Sequence, residues 1–138
     1  MIQTILVGYD ESESSRRAFT HALELARRFK AKMLVVAVIR IPEPAIFAEV
    51  EGIIDAGQEH FQEAFRALTE QAQASGVLIE TEVIVGHPAE QLVHVAEMRR
   101  IDLIVLGSRG TSRMKRWMLG SVSERVLRYA HCPVTIVR

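Results

Sequence analysis

This sequence has little of several features that would point to particular classes of protein. Cys132 is the one cysteine in 138 residues, so an internal disulfide is excluded and a reducing, cytoplasmic location is expected. The 17 lysines and arginines are balanced by 17 aspartates and glutamates, whereas a nucleic-acid-binding domain is usually basic. Because the sequence shows no basic segment followed by a long apolar stretch, we expect neither secretion nor membrane insertion. We therefore expect no nucleic acid and no membrane among its partners.

The rest of the composition is typical of a folded globular protein. Apolar residues make up 49% of the chain and charged residues 25%, which argues against disorder. A chain of this length is the size of one domain with one core. We therefore expect a single domain over residues 1–138.

Apolar patterns along the chain alternate between strands and helices. Strands are predicted over residues 2–8, 33–39, 77–85, 103–106 and 133–137. Helices are predicted over residues 14–30 and 58–75, from Pro88, and from near residue 122. Residues 40–57 have no sustained period and are predicted to form a long loop with at most a partial turn.

This alternation predicts an α/β fold, a doubly wound five-stranded parallel sheet with helices on both faces. Glu80 and Glu82 alternate with apolar residues in the third strand, which indicates a sheet edge and favours the order 3-2-1-4-5. In that order the winding reverses between strands 1 and 4, and ligands bind beyond the carboxyl ends of those strands. Because Asp10 follows strand 1 and Gly107 follows strand 4, both are predicted to lie at one crevice.

The candidate chemistry is concentrated in residues 102–123. The spacing G-x2-G-x9-G-S is formed there by Gly107, Gly110, Gly120 and Ser121. Glycines allow positive φ and the close approach of a ligand. Ser121 and Glu124 have the S-x-x-E spacing of a capping box, so a helix start with free N–H groups and a positive dipole end is expected beside the loop. The sequence therefore predicts a phosphate-binding loop.

Positive charge is focused on the same loop and helix. Against Glu124, six cations give a local charge of 6 − 1 = +5: Arg109, Arg113, Lys115, Arg116, Arg125 and Arg128. The loop is not a Walker A motif, since no G-K-[ST] stands at Gly120, and G-x-G-x-x-G is absent. A plain strand-to-helix loop, with Ser121 and Asp10 serving only as helix caps, remains the alternative.

With these residues assembled, the sequence resembles the universal stress protein family along essentially its whole length. The signature of the ATP-binding branch of that family, G-x2-G-x9-G-[ST], is matched by the four loop residues just given. The opening ILVGYDESESSRRA is similar to the first strand and acidic turn of the family, and HCPVTIVR is similar to its closing strand.

The resemblance implies a set of site residues and a ligand, ATP with Mg²⁺. Asp10 would meet the ribose or a phosphate-bound metal, and the backbone of Val38 would meet adenine. The ribose and inner phosphates would lie against Gly107, Arg109 and Gly110. The outer phosphates would be held by N–H and hydroxyl groups of Gly120, Ser121, Val122 and Ser123.

Glu11 departs from the family pattern, because relatives often have glycine there. It is expected to place a second negative charge near the phosphates. The resemblance also implies a homodimer, for which the unpaired edge of Val134–Val137 supplies a physical motive.

The function implied is a nucleotide-dependent regulatory module of the stress response. A slow metal-dependent ATPase on the same fold is the alternative, with Asp10 or Glu11 acting on a metal-bound water. We assign no catalytic residue, because neither an SGGxDS-type loop nor an HxGH motif is present. A phospho-accepting receiver domain is excluded because strand 3 ends without the required aspartate.

Overall fold

The computed structural model describes residues 1–110 and 118–138. Nine elements follow one another in these ranges: β1 (Thr4–Gly8), α1 (Glu13–Phe29), β2 (Lys32–Ile39), α2 (Phe47–Ala74), β3 (Ile79–Val85), α3 (Pro88–Met98), β4 (Leu103–Gly107), α4 (Ser121–Tyr129) and β5 (Val134–Val137). The strands form one five-stranded sheet in the order β3-β2-β1-β4-β5, and every neighbouring pair is parallel. The predicted order is confirmed.

Strand residues alternate between two apolar layers because successive side chains point to opposite faces of a sheet. Ile5 and Val7 pack with α1 and α2 on one face. Leu6 packs with α3 and α4 on the other. Both faces are therefore covered, which is why the central strands are continuous apolar runs.

The helix ends follow from local sequence. Ser12 is the N-cap of α1, and its hydroxyl accepts a hydrogen bond from the Ser15 N–H at 3.2 Å, so the cap is Ser12 and not Asp10. Gly76 follows the end of α2 with φ +72°, the left-handed conformation that commonly ends a helix. None of the described helices is both long enough and apolar enough to cross a membrane.

The loop predicted over residues 40–57 is wrong from Phe47 onward, since α2 begins there. The first turns of α2 are largely exposed, and the fully buried residues of the helix begin only at Phe65. A segment that buries so little carries no clear apolar period. Its N-cap residue, Ile46, makes no side-chain capping bond, so the usual signal of a helix start is also missing.

Candidate functional site

A crevice of about 660 Å³ opens at the carboxyl ends of β1, β2 and β4. All of the site residues predicted from the sequence line it: Asp10, Val38, Gly107, Arg109, Gly110, Gly120, Ser121, Val122 and Ser123. The sheet order brings β1 and β4 side by side. Helix α4 begins directly after Gly120 and lines the crevice with its first residues. Segments distant in sequence thus converge on one cavity. The roles assigned to these residues remain predictions.

The backbone of Val38 faces the crevice for a reason that lies in the strand register. The last pairing of β2 with β1 is Gly8↔Val36, and the Val36 carbonyl accepts from the Tyr9 N–H at 2.9 Å. N–H and C=O groups of alternate residues point to the same side of a strand. The groups of Val38 therefore point past the end of β1, where no described strand pairs with them. A donor and an acceptor stand there side by side.

The start of α4 carries a second set of open backbone groups. Gly120 is the N-cap, and its own N–H donates to the Ser108 carbonyl at 2.7 Å. The next three N–H groups cannot bond within the helix. They have no partner among the described residues, and no side chain caps the helix. Three donors at the positive end of a helix dipole are an arrangement suited to binding an anion.

The predicted capping box is wrong by one position. Ser121 is the first residue of α4 and Gly120 takes the N-cap place, so Glu124 stands one residue too far along to reach back. Its carboxylate pairs instead with Arg128 at 3.2 Å. The N–H groups at the start of α4 are therefore more open than the predicted capping box implies, because no side chain competes for them.

The two serines at this helix start are not equivalent. The Ser123 hydroxyl is buried and donates to the Gly107 carbonyl at 2.7 Å. Its proton is used inside the fold, so only the N–H of Ser123 is left for the predicted phosphate contact. Ser121 is exposed, and its hydroxyl is available to a ligand together with its N–H.

The loop glycines Gly107, Gly110 and Gly120 do not use the positive φ that glycine allows. Gly76 and Gly86 are the glycines with positive φ in the described ranges, and Gly120 has φ −68°. Space is what the loop requires. A Cβ on Gly107 would lie 2.7 Å from the backbone carbon of Ser14, and one on Gly120 would lie 3.3 Å from the Ser108 carbonyl oxygen.

Ser14 fixes the glycine loop, and sequence reasoning missed it. Its buried hydroxyl donates to the Arg109 carbonyl at 2.5 Å, while the Ser12 hydroxyl approaches the same carbonyl at 3.4 Å. The start of α1 is therefore bonded to the loop that follows β4. The run of serines at residues 12, 14 and 15 was the available signal, since buried hydroxyls need partners.

Asp10 holds the turn with one oxygen and faces the loop with the other. Oδ1 accepts from the Ser12 N–H at 2.9 Å. Oδ2 lies 3.1 Å from the place where a Cβ on Gly110 would stand. One carboxylate oxygen plus phosphate oxygens is a usual ligand set for Mg²⁺, and Asp10 fits that role.

Tyr9 forms part of the crevice wall behind Asp10. Its ring packs near Phe65, with centroids 6.4 Å apart. Burial raises the pKa of the Tyr9 phenol, while Arg16 beside it acts in the opposite direction. The phenol is therefore a neutral hydrogen-bonding group at ordinary pH.

The expectation for Glu11 is not supported by its position. Glu11 does not line the crevice; its carboxylate contacts His60 of α2 and lies 3.9 Å from Arg16. The second negative charge thus lies against His60 and Arg16 and is not part of the crevice lining.

Helix α2 contributes a wall that sequence reasoning also missed. Ile53, Gly57 and Phe61 line the crevice, and their spacing of four residues places them on one helix face. That spacing was the signal hidden in the segment predicted to be a loop. A Cβ on Gly57 would lie 2.6 Å from the Ile39 side chain, so α2 lies close against the end of β2.

The predicted focus of charge is only partly described. Residues 111–117, with three of the six cations and Trp117, lie outside the described residues. Arg109 lines the crevice. Arg125 and Arg128 are directed toward Glu90 and Glu124, at 3.9 and 3.2 Å, and neither lines the crevice.

Comparison with known proteins decides the family. A profile described as the universal stress protein family matches residues 1–138. The chain belongs to the universal stress protein family. Universal stress protein MJ0531 of Methanocaldococcus jannaschii is 36% identical over 142 residues, covering 100% of this chain and 83% of the relative.

Two solved structures of the family have the same fold. Universal stress protein UspA from Lactobacillus plantarum superposes with a TM-score of 0.91 at 30% identity, covering 99% of this chain and 97% of that one. A universal stress protein in complex with cAMP superposes with a TM-score of 0.76 at 32% identity, with coverage of 99% and 97%. Nucleotide binding thus occurs within the family.

Proposed function

We propose that this chain is an ATP-binding universal stress protein, a cytoplasmic module that regulates through nucleotide occupancy. The observation that carries the proposal is the pair of open backbone sites in one crevice, at Val38 and at residues 121–123. One offers a donor and an acceptor to a base, and the other offers three N–H donors to phosphates. The relative solved with cAMP supports an adenine nucleotide as the ligand.

The backbone of Val38 favours adenine over guanine. The Watson–Crick edge of adenine presents an acceptor at N1 and a donor at the 6-amino group, which match an N–H and a C=O. Guanine presents a donor at N1 and an acceptor at O6. In the same position, the Val38 N–H would face a donor and the Val38 C=O would face an acceptor. The mismatch leaves buried polar groups unpaired, which is the strongest source of discrimination between similar ligands.

Mg²⁺ would be held by Asp10 together with the phosphates of the nucleotide. Its charge would offset that of the triphosphate, beside a carboxylate that otherwise repels it. Hydrolysis has less support, because Glu11 is directed to His60 and Asp10 is left as the single carboxylate lining the crevice in the described residues. We therefore favour binding over turnover as the function.

ATP with Mg²⁺ is expected to stabilise the fold. At a ligand concentration one hundred times the dissociation constant, binding contributes about 2.7 kcal/mol, which raises the melting temperature of a domain of this size by about 5 to 15 °C. Thermal unfolding should be measured with ATP and with GTP, each with Mg²⁺, and GTP should give the smaller rise. The absence of any rise at millimolar ATP would refute the proposed function.

We also propose that two copies associate through β5. The strand pairs with β4 on one side only and is half-buried throughout, so its outer N–H and C=O groups are open to a second copy. Sedimentation at micromolar concentration should give the mass of a dimer, and Ile136→Pro, which breaks strand pairing, should give a monomer. A monomeric wild-type protein, with and without ATP, would contradict this proposal.

A further inference from the structure

Glu11 occupies an unusual position for its residue type. Its φ is +66°, a left-handed conformation that is strained for side chains other than glycine, asparagine and aspartate. The Oε1 atom of its carboxylate is buried and makes no hydrogen bond of ordinary geometry within the described residues. The neighbour of that atom is Nε2 of His60. A strained, partly buried glutamate calls for a compensating contact, and His60 supplies it.

The contact joins two walls of the crevice. Glu11 follows Asp10, which lines the crevice from the turn after β1. His60 stands on α2 between two residues that line the opposite side, Gly57 and Phe61. Among the described residues, Asp10 directly precedes Glu11, and Arg16 of α1 lies 3.9 Å from the other carboxylate oxygen of Glu11.

The position of α2 depends on few other interactions near this point. Its turns before Phe61 contain no fully buried residue, so little apolar packing holds them. Gly57 lies against Ile39 without a side chain of its own. The polar contact of His60 with Glu11, one turn away, can therefore change the width of the crevice.

We propose that Glu11 and His60 are positioning residues, which hold α2 against the turn of Asp10 and thereby set the affinity of the crevice for nucleotide. The effect on nucleotide affinity rests on the proposed function, whereas the contact between Glu11 and His60 does not. Neither residue touches the ligand. Their effect passes through Asp10 on one side and through Ile53, Gly57 and Phe61 on the other.

The variant Glu11→Gly distinguishes this positioning role from a purely structural one, because it should change the affinity for ATP without lowering the melting temperature. Glycine relieves the backbone strain, so the melting temperature should not fall below that of the wild type. The contact with His60 is lost, and ATP should bind about three- to fivefold more weakly, the scale expected of one partly exposed pair. Lys30→Gly is the matched control, because Lys30 has φ +56° at the end of α1 and does not line the crevice.

The affinity for ATP is measured by calorimetric titration of Glu11→Gly, Lys30→Gly and three further variants. His60→Ala should weaken ATP binding as Glu11→Gly does, and the double variant should bind no more weakly than either single one. Glu11→Gln keeps an oxygen beside Nε2 of His60 and should bind ATP within twofold of the wild type. Additive losses, or affinities unchanged in Glu11→Gly and His60→Ala, would overturn the proposal.

Hydrogen exchange on the free protein tests the contact without nucleotide. Amides of residues 47–61 should exchange faster in Glu11→Gly and in His60→Ala than in the wild type and in Lys30→Gly. If the two variants exchange faster but the wild-type protein does not bind ATP, the contact is supported and the proposed function is refuted. If exchange and ATP affinity are both unchanged in the variants, the role of the contact is refuted and the proposed function stands.

Discussion

Gly120→Val should reduce the affinity for ATP by about 100-fold or more, equivalent to about 2.7 kcal/mol. A Cβ at this position would lie 3.3 Å from both the Ser108 carbonyl oxygen and the Arg109 Cα, so the branched side chain separates the start of α4 from the glycine loop. The hydrogen bond from the Gly120 N–H to Ser108 is then strained. The three open N–H groups lose their fixed direction toward the crevice.

The cost of this substitution to folding should be small enough to leave the protein folded. Gly120 has φ −68°, which valine can adopt, so no backbone strain is added and a loss of about 1 to 3 kcal/mol is expected. Calorimetric titration with ATP, with circular dichroism to show that the protein is folded, measures both effects. Gly52→Val is the matched control, since a Cβ there meets no atom within 4 Å. A folded Gly120→Val protein with wild-type affinity would show that the phosphate site is misplaced.

Gly107→Ala should lower the free energy of unfolding by about 3 kcal/mol, the upper end of the usual cost of overpacking. The added Cβ would lie 2.7 Å from the carbonyl carbon of Ser14 and 2.8 Å from the Ser15 nitrogen. These are backbone atoms of α1, which cannot rotate away as a side chain could. The end of β4 and the start of α1 must therefore move apart, and the bond from Ser14 to the loop is stretched as they do.

Urea unfolding of Gly107→Ala and of Gly52→Ala measures this difference. Gly52 lies inside α2 with open space around it, so alanine there should stabilise the protein by about 0.5 to 1 kcal/mol. If Gly107→Ala lowers the free energy of unfolding while Gly52→Ala raises it, the cost at Gly107 arises from packing against α1. Equal effects at the two positions would mean that the close approach is relaxed in solution.

The strand order was predictable because it depends on pattern alone. Glu80 and Glu82 place β3 at an edge, and the continuous apolar runs of β1, β2 and β4 require cover on both faces. With parallel pairing, those facts leave little choice of topology. The convergence of Asp10 and Gly107 followed from the order.

The details of the site were less predictable because they depend on contacts between distant segments. Nothing in the local sequence shows that Ser14 is bonded to the Arg109 carbonyl, or that Gly107 is a glycine because α1 lies against it. The N-cap at Gly120 was missed for a related reason. Its N–H donates to the Ser108 carbonyl, a contact between residues distant in sequence, whereas the S-x-x-E spacing indicates the next residue as the cap.

Helix α2 shows where pattern reading fails. Its first three turns are exposed on most sides, so tertiary contacts at Ile53 and Gly57, and not an apolar stripe, mark the face that lines the crevice. Glycine at positions 52 and 57 also lowers helix propensity. The pattern of this segment therefore predicts a loop and gives no indication that it forms a wall of the crevice.

The most direct test of the account is an NMR titration of the isotope-labelled protein with ATP and Mg²⁺. We expect the amides of Val38 and of Ser121, Val122 and Ser123 to shift together, with one saturation curve, because one nucleotide spans both sites. A second, more open groove lies between α2 and β3, lined by Gln58, Gln62, Phe65, Arg66, Thr69, Glu70, Thr81 and Val83. Shifts confined to that groove, or to only one of the two backbone sites, would contradict the account.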